Sequence, residues 1–224
     1  MYYVGNDLHK ETTWFYILDN NGKKISSKNI SNKPEILKRY FQQIPKPFIL
    51  AVEATYNWYY FVDIAEQYAE QVFLANSYEL KAFAKRHKKT DKIDARLIAT
   101  ILQKGFLPVV TIADQYTRQI RELLRYRINL INDRSRNIYR LKALLDKLGL
   151  DSNGDFTTCK RLKSISTEKM PAIYASLVRK YIARITDLTE RRLVIEKEVI
   201  AISDKDPDML NLMSLPGIGP FSAA

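Results

Sequence analysis

Phe48-Ile49-Leu50-Ala51-Val52 is an unbroken apolar run that opens after Pro47 and closes on Glu53. A strand that is apolar at every position needs cover on both faces, so this run commits the chain to a sheet with helices on either side. Neighbouring segments supply the parts. Residues 2–4 predict a short first strand that turns at Gly5-Asn6-Asp7. Thr12–Leu18 is rich in β-branched and aromatic residues, and Asp19-Asn20-Asn21-Gly22 is a strong hairpin signal after which residues 23–30 return as a strand. Ser31-Asn32 is expected to cap a helix over Pro34–Gln43, with Pro34 in the tolerated first turn. Residues 56–68 read as helix, 71–74 as a short buried strand and 77–84 as helix. Hairpin-joined strands followed by strands separated by helices predict an α/β domain with a mixed sheet. That order is compatible with a ribonuclease H-like fold, among others.

Beyond residue 108 the texture changes. Ile120, Leu124, Ile128, Ile131, Ile138, Leu141, Leu145 and Leu148 recur at three- and four-residue steps, the apolar stripe of one long helix that ends at Gly149. Val178, Ile182, Ile185, Leu188, Ile195, Val199 and Ile202 form a second stripe. Two such helices pair most simply as an antiparallel coiled coil, and packing of both on the first domain is the alternative. Leu215-Pro216-Gly217-Ile218-Gly219-Pro220 resembles the hairpin of helix-hairpin-helix modules, whose glycines admit a phosphate to backbone N–H groups. Only four residues follow, so the chain is expected to be a truncated gene product. The expected organisation is an α/β domain over residues 1–110, a helical segment over 111–206, and the start of a further domain over 207–224.

Four carboxylates fall at informative places. Asp7 is expected at the C-terminal end of the first strand and Glu53 at the end of the buried one, where open α/β sheets gather functional groups. Asp91 and Asp94 open a helical run, and their i, i+3 spacing puts both on one face. Taken singly, Asp7 reads as a turn residue, Asp91 as a helix cap and Asp94 as the partner of a neighbouring lysine or arginine. Glu53 is different, because a carboxylate ending an apolar strand needs a partner. Four acids brought to one point repel one another unless divalent cations compensate, and oxygen-only ligands suit Mg²⁺ or Mn²⁺. Two such ions about 4 Å apart activate an attacking oxygen and stabilise a leaving one in phosphodiester chemistry.

The charge balance points to the same class of partner. With 36 Lys and Arg against 25 Asp and Glu the chain carries +11, which draws phosphate polyanions and releases their counterions. Residues 81–104 hold eight of the positive charges against Asp91 and Asp94, concentrated in Lys85-Arg86-His87-Lys88-Lys89 and continued by Lys92. Arg118, Arg121 and Arg125 extend the basic character along the first long helix. The aromatic run Tyr56, Trp58, Tyr59, Tyr60, Phe61 reads as core packing before it reads as a platform for bases. His9 and His87, each beside an acidic motif, read as surface histidines before they read as bases or ligands. No apolar stretch is long enough to span a bilayer, the N-terminus lacks the features of a signal peptide and Cys159 stands alone, which together predict a cytoplasmic protein with no membrane partner.

Gly5-Asn6-Asp7-Leu8-His9-Lys10, Val52-Glu53-Ala54-Thr55 and Lys89-Thr90-Asp91-Lys92-Ile93-Asp94-Ala95-Arg96 resemble, in order, the motifs of the insertion sequence 110 family of DEDD transposases, which includes the Piv-type DNA invertases. The Leu215–Pro220 segment resembles the start of that family's C-terminal transposase domain. The resemblance implies a RuvC-like catalytic domain with Asp7, Glu53, Asp91 and Asp94 as catalytic metal ligands. It also implies Mg²⁺ or Mn²⁺ as cofactor, a coiled-coil linker that assembles a homodimer or homotetramer on DNA, and a structured guide RNA. Two departures stand out. Many relatives carry Glu-x-Thr-Gly where this chain has Glu53-Ala54-Thr55-Tyr56. The family's attacking serine lies well downstream of the Pro-Gly-Ile-Gly motif, and Ser222 is too close to that motif to be its equivalent. A Holliday-junction-type nuclease needs the same four acids, and a nucleic-acid-binding scaffold without catalysis needs none of them jointly.

Overall fold

The structure is a computed structural model that describes residues 1–83, 91–153, 156 and 158–224. The basic run Lys85, Arg86, His87, Lys88 and Lys89 therefore lies outside the described residues. By internal contacts the chain divides into two compact units, Met1–Ile112 and Ala113–Ala224.

The first unit is built on a six-stranded sheet in the order β3-β2-β1-β4-β5-β6. Its strands are β1 (Tyr2–Leu8), β2 (Thr12–Leu18), β3 (Lys24–Ser31), β4 (Phe48–Glu53), β5 (Gln71–Ala75) and β6 (Val109–Val110). The hairpins make β1, β2 and β3 antiparallel, whereas β4 runs parallel to β1 and β5 parallel to β4. This mixed α/β sheet is consistent with the expected ribonuclease H-like fold. Asp19 makes the hairpin turn by accepting the N–H groups of Asn21 and Lys23 on one carboxylate oxygen, both at 2.9 Å.

Strand alternation sorts the sheet into two covered faces. Val4 and Leu8 of β1, Phe15 and Ile17 of β2, and Phe48, Leu50 and Val52 of β4 are buried with α1 (Pro34–Gln43) and α2 (Trp58–Ala65). Tyr3 of β1, Tyr16 and Leu18 of β2, and Ile49 and Ala51 of β4 turn to the opposite face, under α4 (Asp91–Lys104) and the Leu80 side chain of α3 (Ser77–Phe83). The apolar run in β4 is thus explained by two covers.

Two expectations change, and the aromatic run packs as expected. Gly5-Asn6-Asp7 is strand, not turn: pairing with β2 continues to Leu8 opposite Thr13. Asn32 does not cap α1, whose N-cap is Lys33 with no side-chain hydrogen bond. Instead the Asn32 amide donates to the carbonyl oxygens of His9 and Thr12, at 2.6 and 3.1 Å, and holds the β1–β2 turn. Of the aromatic run, Trp58 and Phe61 are buried and Tyr59 and Tyr60 pack on the core, which leaves Tyr56 exposed.

In the second unit α5 (Gln115–Lys147) and α7 (Ala172–Ser203) pack together. Arg127 meets Glu196 and Arg134 meets Thr189, so the helices run antiparallel. Ile138, Leu141 and Leu145 form a core with Val178, Ile185, Phe156 and Leu162. The expected stripe on α5 fails in the middle, where Ile128 is exposed and Leu130 buried. Arg127 and Arg134 stand at seven-residue steps between Ile120 and Leu141, and their polar contacts with α7 replace apolar ones there. The segment between the two helices includes α6 (Cys159–Lys163), and after α7 come α8 (Pro207–Met213) and α9 (Pro220–Ala223) on either side of Gly217, whose φ is +87°. None of the described helices is long and apolar enough to cross a membrane.

Candidate metal centre

The position of α4 sets the site, and Gly5 sets the position of α4. A Cβ at residue 5 would fall inside the backbone of Ala95 and Ala99, so the helix rests directly on the strand at a point only glycine allows. Gly5 and Asp7 are two apart on β1 and share a face. Asp91, Ala95 and Ala99 are four apart on α4 and share another. The small residues touch, and the acids at their ends are carried toward each other. Asn6 pairs with Val52, so the next residues along β1 and β4 are Asp7 and Glu53, both on the face that α4 covers.

Asp7 is buried, at 4% of its free exposure. Its carboxyl is pushed up to about 6, first by burial and then by the charges of Asp94, Glu53 and Asp91, with His9 acting in the opposite sense. The other three expected acids therefore all lie close enough to act on Asp7. The closest grouping, however, is not the four acids. His9 Nε2 lies 3.1 Å from Asp7 Oδ2 and 3.3 Å from Asp91 Oδ1, so the imidazole spans the two carboxylates. Asp7, His9 and Asp91 each offer a ligand atom within 4.8 Å of the other two. Glu53 and Asp94 instead line a shallow depression together with Ser77 and Lys81.

His9 is the residue that sequence reasoning passed over as a surface histidine. Its backbone is fixed from two sides. The Asn32 and Asn57 amides both donate to its carbonyl oxygen, Asn57 at 2.8 Å, and the Thr55 hydroxyl donates to Asn57 Oδ1 at 2.9 Å. The loop that departs from the Glu-x-Thr-Gly pattern thus reaches back to the β1–β2 turn. The only signal the sequence carried for His9 was its place two residues after Asp7.

This donor set fits a divalent cation. A buried carboxyl that resists ionisation among three others loses that resistance when a cation supplies the missing charge, and hard oxygen ligands suit Mg²⁺ or Mn²⁺. The expected nucleic-acid residues divide. Lys92 and Arg121 are exposed. Arg125 is exposed but paired with Glu122. Arg118 is a correction: it is buried, its Nε donating to the Asp114 carbonyl oxygen at 3.4 Å, so it offers no surface charge to a phosphate.

A family model described as a transposase, of the DEDD insertion sequence 110 type, matches residues 4–149. The chain is 24% identical over 222 residues to a "Transposase for insertion sequence element IS1328" of Yersinia enterocolitica, which covers 99% of this chain and 65% of the relative. It is also 24% identical over 226 residues to a "Probable family 20 transposase" of Pseudomonas aeruginosa, covering 99% of this chain and 66% of that relative. The chain thus spans just under two thirds of the length of the curated relatives it matches.

Proposed function

The chain belongs to the DEDD transposase family of the insertion sequence 110 type, and from that premise we propose that it forms the metal-dependent DNA-cutting and strand-transfer part of a transposase. The observation that carries this reading is Asp7, buried on the face covered by α4, with a carboxyl raised to about 6 in the company of Glu53, Asp91 and Asp94. In this reading Asp7, Glu53, Asp91 and Asp94 hold Mg²⁺ or Mn²⁺ as the catalytic group. When bound, such ions activate an attacking oxygen and stabilise the leaving one.

The protein's own part is placement. Gly5, Ala95 and Ala99 fix the distance between the strand acids and the helix acids. His9, held by Asn32 and Asn57, orients Asp7 and Asp91 as a positioning residue. Residues 1–110 act as the RuvC-like catalytic domain, 111–206 as a coiled-coil linker through which two or four copies assemble, and 207–224 as the first part of a C-terminal transposase domain. DNA is the substrate, a structured RNA is the proposed guide, and Lys92 and Arg121 are surface contacts to nucleic acid.

Calorimetric titration with Mn²⁺ tests the site. Glu53→Gln is expected to weaken binding at least about tenfold, the order found when a group supporting a metal is removed. Unchanged Mn²⁺ binding in this variant would leave the acids without a joint role and favour a plain nucleic-acid scaffold.

A further inference from the structure

The β2–β3 hairpin and α4 enclose a groove, lined by Tyr16, Lys24, Arg96, Thr100, Gln103 and Lys104, to which none of the four acids contributes. Its charge is one-sided. Lys24, Arg96 and Lys104 are exposed, and none has an ion pair among the described residues. No acidic residue lines the groove. Asp19, the acid of the hairpin turn, is engaged by backbone N–H groups. The walls are tied together, because Gln103 Nε2 donates to the Asn20 carbonyl oxygen at 3.1 Å.

The groove also has a direction. Lys92, Arg96, Thr100 and Lys104 follow at four-residue steps, so they descend one face of α4, starting beside Asp91. Twelve residues of helix cover about 18 Å, the rise of about five base pairs at 3.4 Å each. Lys24 pairs with Leu18, and Leu18 with Tyr3, four residues or about 13 Å along β1 from Asp7. Cations converging from two elements without counter-charge create a potential that a polyanion relieves.

We propose that this groove seats the phosphodiester backbone of a nucleic-acid strand running away from the acid site along α4. The proposal rests on the reading that the acid site handles nucleic acid, and it adds where the strand goes. Phosphate oxygens would take charge-assisted hydrogen bonds from Lys24, Arg96 and Lys104, while the Thr100 hydroxyl between them donates to the Arg96 carbonyl oxygen at 2.8 Å. Such contacts position a strand and carry no sequence preference.

The test compares two triple variants of the full chain by fluorescence anisotropy across a salt series, with a labelled DNA duplex and an RNA duplex of the same sequence. Lys24→Gln/Arg96→Gln/Lys104→Gln removes the groove charges. Lys33→Gln/Arg39→Gln/Lys46→Gln removes the same charge from exposed positions elsewhere in the first unit. The groove variant is expected to bind at least about tenfold more weakly and to lower the slope of log affinity against log salt by nearly 3 on DNA, about 0.9 per lost contact. The single variants Lys24→Gln and Lys104→Gln each lower it by about one. The control changes affinity about twofold or less. Loss on DNA alone assigns the track to DNA, loss on RNA alone to an RNA strand, and loss on both to the shared backbone. Equal effects of the two triples on both ligands overturn the proposal. Mn²⁺ calorimetry on the same proteins keeps the two readings apart: if wild type binds no Mn²⁺ the acid-site reading fails, while the comparison of triples still decides the groove.

Discussion

In the second unit Asp133 sits 3.0 Å from Arg136, and Asp187 accepts from Arg184 at 3.2 Å and Arg191 at 2.8 Å. In the first unit Asp7, Glu53 and Asp91 have no lysine or arginine ion pair among the described residues, and Asp7 and Asp91 share only His9. The helix acids are spaced three or four residues from an arginine on their own helix, so local geometry neutralises them in solvent. The sheet acids are carried together by packing, in a chain with cations to spare. Acids left facing one another while eleven excess positive charges go elsewhere mark a place where the missing charge comes from outside the chain.

The contrast breaks most severely at Gly5. A methyl group there must displace the α4 backbone, so Gly5→Ala is expected to cost about 3 kcal/mol or more, at the upper end of overpacking effects. Urea unfolding measures it, and an unchanged midpoint would mean that α4 does not rest on β1 as described.

Asp7 sharpens the contrast through pH. Its folded carboxyl titrates near 6 against an ordinary 3.8, so the folded state holds a proton that the unfolded chain has already released. For the metal-free protein this term favours folding below pH 3.8 and is lost as pH rises through about 6, a loss of at most about 3 kcal/mol. Denaturant unfolding in a chelator, from pH 4 to pH 8, should show that decline in wild type. Asp7→Asn should remove it, and saturating Mn²⁺, which binds the ionised form, should oppose it. A decline of the same size in Asp7→Asn would locate the titration elsewhere.

The smallest effect belongs to the second unit. Asp133→Asn loses one solvated helix pair, worth about 0.5 kcal/mol or less. Thermal unfolding should register almost no shift, and Mn²⁺ titration none. A substantial loss of metal binding in this variant would erase the distinction between the two groups of acids.

Much of the first unit was legible because its signals are local. The apolar run of β4, the alternation in β2 and the Asp19–Gly22 turn each depend on neighbours a few residues away, and each element formed close to where it was expected. The interruption of the α5 stripe was less legible, because it depends on Arg127 and Arg134 finding Glu196 and Thr189 on a helix more than fifty residues later. Asn32 was misread for a related reason. An Asn before a proline-led helix is a good cap by local rules, but here its amide is taken by the carbonyl oxygens of His9 and Thr12 across the β1–β2 turn.

Order and spacing singled out the four acids, and the charges of Glu53, Asp91 and Asp94 all reach Asp7, but nothing local indicated that His9 lies between Asp7 and Asp91. By itself the sequence determined which strands are buried, that Asp7 and Glu53 stand near strand ends, and that Asp91 and Asp94 share a helical face, since backbone periodicity alone carries those facts. Only the tertiary structure decided that Gly5 meets Ala95 and Ala99, that His9 stands between Asp7 and Asp91 with Asn57 fixing it, and that Lys24 joins the cations of α4. Those relations depend on close packing between residues tens of positions apart, where a single methyl group decides whether two elements touch, and no local period encodes that.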